Sequence, residues 1–395
     1  MYPNRSESTG GGHGPSLQER RYAALRGCER LLSGARPRSM RERLADLAED
    51  AGGVYDLDRR PDMYGDGVVR ALERKVADLL GTEDAAFFPT GTMAQQVALR
   101  IHAEAAGLWT VATHPLGHTE QHERQALSAL SGLRSVWPTA APRLPTVAEL
   151  HAFDEPYAAM IVELPLREAG FVLPSWADLL AVAAVVREEQ GAALHLDGAR
   201  IWESAVHFGR PLPEVAAPAD SVYVSFYKTL GGISGAALAG REGFVRTAKA
   251  WRHRYGGQLF QQWPVALSAL AGLDRELPRL AGYVTHARTV AAALAEGFAA
   301  VPGARVHPAP PHTHQFQLWL PYSPEELDTA GLRLVEETGA ALFGGWRERG
   351  LPGLSMTEVT VAADALEWTE KDVVEAVAAF VALLPGRRPQ GADGD

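Results

Sequence analysis

The sequence predicts an α/β protein. A large three-layer α/β/α domain, with helices on both faces of a mainly parallel sheet, is followed by a smaller C-terminal α+β domain. Three observations carry this. Short apolar strands alternate with helical segments between AAFFP (85–89) and AALAG (236–240), and such alternation favours parallel pairing because each crossover needs an intervening element. The pattern turns helical around residues 255–300. Residues 303–385 then mix strands such as QFQLWL and MTEVTV with helices. The expected boundaries are 1–40 for an N-terminal extension, partly flexible then helical, 41–270 for the large domain, 271–385 for the small one and 386–395 for a flexible tail.

Each element has its own reason. Residues 15–50 carry apolar positions at helical spacing in LQERRYAALRGCERLL and MRERLADLAEDAG. DMYGDG is a turn, and VVRALERKVADLL (68–80) is an amphipathic helix stopped by Gly81. TGTMAQQVALRIHAEAAG opens on small residues and becomes helical. The remaining strands of the large domain are WTVAT (109–113), AAMIVEL (158–164), AALHL (192–196) and SVYVSF (221–226), with helices expected at 174–189 and 199–207. No internal repeat is present.

Composition excludes several classes. A hydrophobic share of 46% and a charged share of 22% fit a soluble globular chain of 395 residues. The net charge of −10 disfavours nucleic acid and anionic membranes as partners. One cysteine, Cys28, rules out an internal disulfide and a Cys-based zinc site, and no metal is expected. The N-terminal MYPNRSESTGGGHGPS lacks the apolar core of a secretory signal. No apolar run reaches the ~18 residues of a membrane span, so a cytoplasmic location is expected.

The chain has only four lysines, at 75, 228, 249 and 371. Lys228 stands as the one cation in the apolar stretch ADSVYVSFYKTLGGISGAALAG, where a charge is costly unless paired or chemically used. In open α/β sheets ligands sit at the carboxyl ends of strands. Three groups fall there: Asp197 ends AALHLD, Lys228 ends SVYVSFYK, and Thr90-Gly91-Thr92 follows AAFFP and opens a helix. Each alone has a plain reading: Asp197 or a threonine as a helix cap, Lys228 as a loop charge. No phosphate-binding GxGxxG or Walker pattern is present. Together the three describe a pyridoxal 5'-phosphate site: an amine for a Schiff base, a carboxylate for the pyridine nitrogen, and helix-start N–H groups for phosphate.

Longer motifs point the same way. DMYGDGVVRALERKVADLLG, FFPTGTMAQQVAL, LHLDGARIWESAVHFG and the lysine segment occur in matching order and spacing. Over roughly residues 40–385 the chain resembles the threonine aldolase and β-eliminating lyase group of fold-type-I pyridoxal-phosphate enzymes. The resemblance implies that Lys228 carries the cofactor, that Asp197 pairs with its ring nitrogen, and that Arg200 approaches the cofactor hydroxyl or the substrate carboxylate. Thr90, Gly91 and Thr92 would hold the phosphate. His118 and Glu123 fall on the family's His-x4-Glu pattern, which places His118 over the ring as a base for a β-hydroxyl proton.

Two departures accompany the resemblance. Phe260, in YGGQLFQQW, stands where the family has a phosphate-gripping arginine, with Arg252 and Arg254 as candidate stand-ins. Glu358, in SMTEVTV, stands near the family's carboxylate-gripping arginine, with Arg347 in FGGWRERG as a candidate replacement. The implied activity is Cα–Cβ cleavage of a β-hydroxy-α-amino acid to glycine and an aldehyde, or the reverse addition. β-Elimination or other Cα chemistry, and a catalytically inactive binding subunit, are the alternatives. The intact Asp197–Lys228 pair argues against the last. A homodimer or homotetramer is also implied.

Overall fold

The computed structural model describes residues 16–350 and 352–385. The Gly/Ser-rich start and the expected flexible tail, residues 1–15 and 386–395, lie outside the described residues. The chain divides into two compact units, one of residues 40–281, the other joining the N-terminal segment up to residue 39 with the chain from residue 282 onward.

The large unit is built on seven strands: β1 (Asp84–Phe88), β2 (Thr110–Ala112), β3 (Arg134–Val136), β4 (Ala159–Glu163), β5 (Ala193–Gly198), β6 (Ser221–Ser225) and β7 (Ala236–Gly240). Their spatial order is β1-β7-β6-β5-β4-β2-β3. The pairs from β6 through β3 are parallel, whereas β7 is antiparallel to both β6 and β1. Two antiparallel steps restore β1 to the direction of β6, so the chain leaves both at the same edge. Every residue of β6 and β7 is buried, which is why these strands read as unbroken apolar runs rather than alternating ones. β3 was not foreseen; at three residues with Arg134 exposed it carries too little period to read.

Register matters more than strand count. Glu163 pairs with Asp197, and Asp197 with Tyr223, so the three side chains form a row on one face of the sheet. The helix Gly91–Ala106 covers that face, packing Ala94, Val97 and Ala98 in one cluster with Phe88, Tyr223 and Leu238. Tyr223 reaches its first residue: a Cβ on Gly91 would lie 2.2 Å from the Tyr223 Oη.

The free edge of β1 is closed by charge. Glu73, on the buried face of the helix Gly67–Leu80, accepts the N–H of Phe87 at 2.9 Å. Arg252, from the helix Glu242–Arg254, donates to the Phe87 carbonyl at 2.6 Å and to Glu73 at 3.2 Å. Lys249 and Arg70 also contact Glu73, at 3.1 and 2.9 Å. An open strand edge invites foreign pairing, and here both backbone groups of Phe87 are occupied.

In the other unit, β8 (Arg305–His307), β9 (Gln315–Leu320), β10 (Arg347–Glu348) and β11 (Ser355–Thr360) form an antiparallel sheet of order β10-β11-β9-β8. Its core includes Phe298, Phe316, Trp368 and Phe380. The continuous helical region expected over 15–50 is two helices, Leu17–Gly27 and Met40–Val54. Between them the chain turns at Gly34, with φ +90, and passes Pro37, which no helix interior tolerates well. Arg30–Leu31 there pairs in parallel with Ala340–Ala341.

Two outcomes are expected. Glu73→Ala leaves the Arg252 guanidinium buried without its carboxylate, and should cost about 3–5 kcal/mol in a urea unfolding series. Gly91→Ala should cost about 1–3 kcal/mol by overpacking, and adding Tyr223→Phe should recover part of that loss.

Candidate active site

Five chain segments converge at the carboxyl edge of the large sheet. Beyond β1, Thr90 caps the next helix, its hydroxyl accepting the Met93 N–H at 3.2 Å. The backbone N–H groups of Gly91 and Thr92 follow at the first helical positions, where no intrahelical acceptor exists. Beyond β2, His118 begins the short helix His118–Gln121. β4 ends on Glu163. Asp197 is the last residue but one of β5, and its Oδ1 accepts the Ala199 N–H at 3.1 Å. Beyond β6 comes Lys228.

The lysine loop is anchored on both sides of the amine. The Trp202 indole N–H donates to the Ser225 carbonyl at 3.3 Å, and the Thr229 hydroxyl donates to Glu203 at 2.8 Å. Phe226 and Gly232 close the turn, the Gly232 N–H reaching the Phe226 carbonyl at 2.8 Å. A Cβ on Gly232 would meet that same carbonyl oxygen at 2.8 Å, so the close approach requires glycine.

The electrostatics are dominated by burial. Lys228 keeps some accessible surface, yet its amine sits in dense protein. Burial and the Arg200 charge push its pKa down to about 8, while Asp197 and Glu163 pull the other way. Asp197 is nearly inaccessible; burial raises its pKa and the Lys228 charge opposes the rise. Burial and Asp197 push Glu163 and Glu123 each up to about 7. Glu203 also rises to about 7 by burial, with Arg200 opposing. His118 is forced down to about 3 by burial, then by Lys228, His122, Arg200 and Arg167, and so remains neutral near pH 7. Its Nε2 stands 3.9 Å from Glu123 Oε1, beyond hydrogen-bond range, while Glu123 Oε2 accepts from the Gln96 amide at 3.3 Å.

The structure thus brings Lys228, Asp197, Arg200 and His118 within electrostatic reach of one another, and sets Gly91 against Tyr223, the register neighbour of Asp197. Arg200, preceding the helix Ile201–Phe208, also lies over the Phe171 ring at 5.4 Å. Thr90 takes the capping role that its residue type allowed. Arg347 and Glu358 belong to the other unit, where they pair with each other at 2.6 Å. Arg252 is committed to Glu73 and Phe87, and Arg254 lies over Trp251 at 4.5 Å. Phe260 is exposed and packs edge-on against Tyr64 at 5.5 Å. Sequence reasoning missed Glu163, Arg167, Glu203 and Tyr223. Glu163 carried the same signal as Asp197, an acid ending an apolar strand; the others carried none.

The chain's likenesses agree with this site. The family model described as β-eliminating lyase matches residues 38–318. A low-specificity L-threonine aldolase of Escherichia coli K12 is 32% identical over 226 residues, covering 55% of this chain and 67% of that protein. A solved Exiguobacterium sp. 255-15 protein, a candidate aromatic amino acid β-eliminating lyase/threonine aldolase, superposes with a TM-score of 0.83 at 35% identity, covering 92% of this chain and all of that one. A candidate L-allo-threonine aldolase of Listeria monocytogenes EGD-E gives the same TM-score at 34% identity, with 92% of this chain and 100% of that one covered. With the family match extending well beyond half of its length, this chain belongs to the β-eliminating lyase family.

Proposed function

We propose that the protein is a pyridoxal-phosphate-dependent lyase that cleaves the Cα–Cβ bond of a β-hydroxy-α-amino acid, in the manner of a threonine aldolase. The observation that carries this reading is the placement of Lys228, its amine lowered to about 8, beyond the strand adjoining that of the buried Asp197 and within electrostatic reach of it. The residues present suit the cofactor. A Lys228 amine that loses its proton readily can bond an aldehyde. Asp197 can hold a proton on the ring nitrogen. The N–H groups of Gly91 and Thr92 offer phosphate a cradle without a competing side chain at Gly91. When bound, the cofactor supplies an electron-withdrawing ring that stabilises negative charge at the substrate's Cα.

The chain's own groups do the rest. Asp197, kept from water, would set its charge against the ring nitrogen of a bound cofactor. Arg200 offers a planar fork to a carboxylate or a phenolic oxygen. His118, neutral at the working pH, can accept the β-hydroxyl proton, with Glu123 as a nearby group that can hold a proton near pH 7. Thr90 supports the cradle by capping the helix that carries it. Arg347 and Glu358 are assigned to substrate binding; their pairing with each other at 2.6 Å leaves a weaker grip on a carboxylate than a free arginine would.

Other features support a homodimer or homotetramer: Met63, Tyr64, Leu259 and Phe260 form an exposed apolar group on the large unit, of the kind that marks interfaces. A small-molecule amino acid is the partner of the site. Among the described residues no helix is long and apolar enough to cross a membrane, and a cytoplasmic location suits the single buried thiol at Cys28.

Borohydride reduction of the cofactor-loaded protein should leave a pyridoxyl adduct on Lys228 and on none of Lys75, Lys249 or Lys371; mass spectrometry reads this, and an unmodified Lys228 rejects the site. Incubation with threonine, phenylserine and serine should yield glycine and an aldehyde, while pyruvate or ammonia would establish elimination instead. Asp197→Asn should lower kcat about 100-fold or more. In the cofactor-free protein, acetylation of Lys228 should accelerate as pH rises through about 8, because only the neutral amine reacts; an onset above pH 10 would contradict the environment described.

A further inference from the structure

The carboxyl group of Glu163 makes two bonds whose donors lie on different loops. Its Oε2 accepts the backbone N–H of His118 at 2.8 Å, and its Oε1 accepts the backbone N–H of Arg167 at 3.2 Å. His118 begins its short helix after Gly117, and a Cβ on Gly117 would sit 3.8 Å from the same Oε2. Arg167 lies in the segment between Leu164 and Val172, whose ends meet in an isolated antiparallel bridge between Leu166 and Val172. The two loops also meet farther out, where Glu168 contacts His122 at 2.6 Å and Arg167 at 3.2 Å.

The placement of Glu163 is fixed by the sheet. It is the register partner of Asp197, and neighbouring strands lie about 4.8 Å apart, so the two acids share a face at one edge. The charges of Arg167 and of Lys228 both bear on His118, and those of Arg167 and Glu163 bear on Lys228. One carboxyl group therefore ties the strand beside Asp197 to the loop bearing the imidazole and to the loop bearing a second guanidinium.

We propose that Glu163 is a positioning residue, a two-oxygen tether that holds the His118 loop and the Arg167 loop in fixed relation to Asp197 and Lys228, and so aims His118 at the substrate. The tether rests on the function of His118 given above only for its kinetic consequence. Glutamine cannot replace it, since a carboxamide offers one acceptor oxygen and meets the second N–H with a donor. Aspartate keeps both acceptors on a shorter stem.

Hydrogen exchange read by mass spectrometry on Glu163→Gln tests the tether without turnover. Peptides covering residues 115–121 and 165–170 should exchange about tenfold faster than in the parent, an opening free-energy change of the local kind, while β5 and β6 are unchanged. Unchanged exchange in those two segments, or acceleration spread over the whole sheet, overturns the proposal. Glu163→Asp, expected to show a smaller acceleration confined to the same peptides, serves if the glutamine variant does not fold. Kinetically, Glu163→Gln should lower kcat about tenfold with KM within about threefold, and should have less than about a twofold effect in a His118→Asn background, as expected when two residues act as a unit. Equal losses in both backgrounds overturn the action through His118. A His118→Asn protein with parent kcat would instead sink the role given to His118, and the exchange result would still decide the tether.

Discussion

The parallel register that lines up Glu163, Asp197 and Tyr223 governs the rest of the large unit. A slip of one residue in any of these strands would turn its member of the row to the opposite face of the sheet. Slipped in β5, Asp197 would leave the edge it shares with Lys228; in β4, Glu163 would release the two loops it holds; in β6, the Tyr223 hydroxyl would no longer press on Gly91. The register is itself held by burial. β5, β6 and β7 are buried on both faces apart from Ala193 at the start of β5, so a slipped strand would set each side chain into a close-packed space shaped for another.

That burial explains the site's unusual charge density. Glu123, Glu163, Asp197 and Glu203 crowd around Lys228 and Arg200, and each acid is made harder to ionise by loss of water. Charges removed from solvent are tolerated only when partners replace the solvent. Here the replacements are backbone N–H groups, a threonine hydroxyl and the guanidinium of Arg200. A cluster so balanced holds protons that shift readily near neutral pH, which suits general acid–base work.

Much of this was legible in the sequence. The strands of the large sheet other than β3 announced themselves as apolar runs, and Asp197, Lys228 and the Gly91 turn each fell at a strand's end. The antiparallel direction of β7 did not, because a buried strand looks the same whichever way it runs. The break at residues 28–39 was hidden by good helical spacing on either side of it, although Gly34 and Pro37 marked the place. At the site, sequence picked out residues whose identity is chemically special and missed those whose importance is positional. Tyr223 reads as one more strand aromatic, Glu203 as one more helical acid, and only the folded arrangement gives them neighbours. Arg252 is the converse case: a basic residue near the phosphate motif turns its Nη1 to the edge of β1.

The position of β1 carries one more implication, for the order in which the protein is made. β1 comes first among the strands of the large sheet, yet among the described residues its one strand partner is β7, the last to emerge. During synthesis the segment from Asp84 to Phe88 must wait until residue 240 has left the ribosome before it can enter the sheet. The helix start at Gly91 then reaches the edge where Lys228 already stands. The two halves of the site are thus separated by most of the large unit's translation, and a chain stalled before residue 240 has made Gly91 and its helix but lacks the strand that seats them beside the lysine.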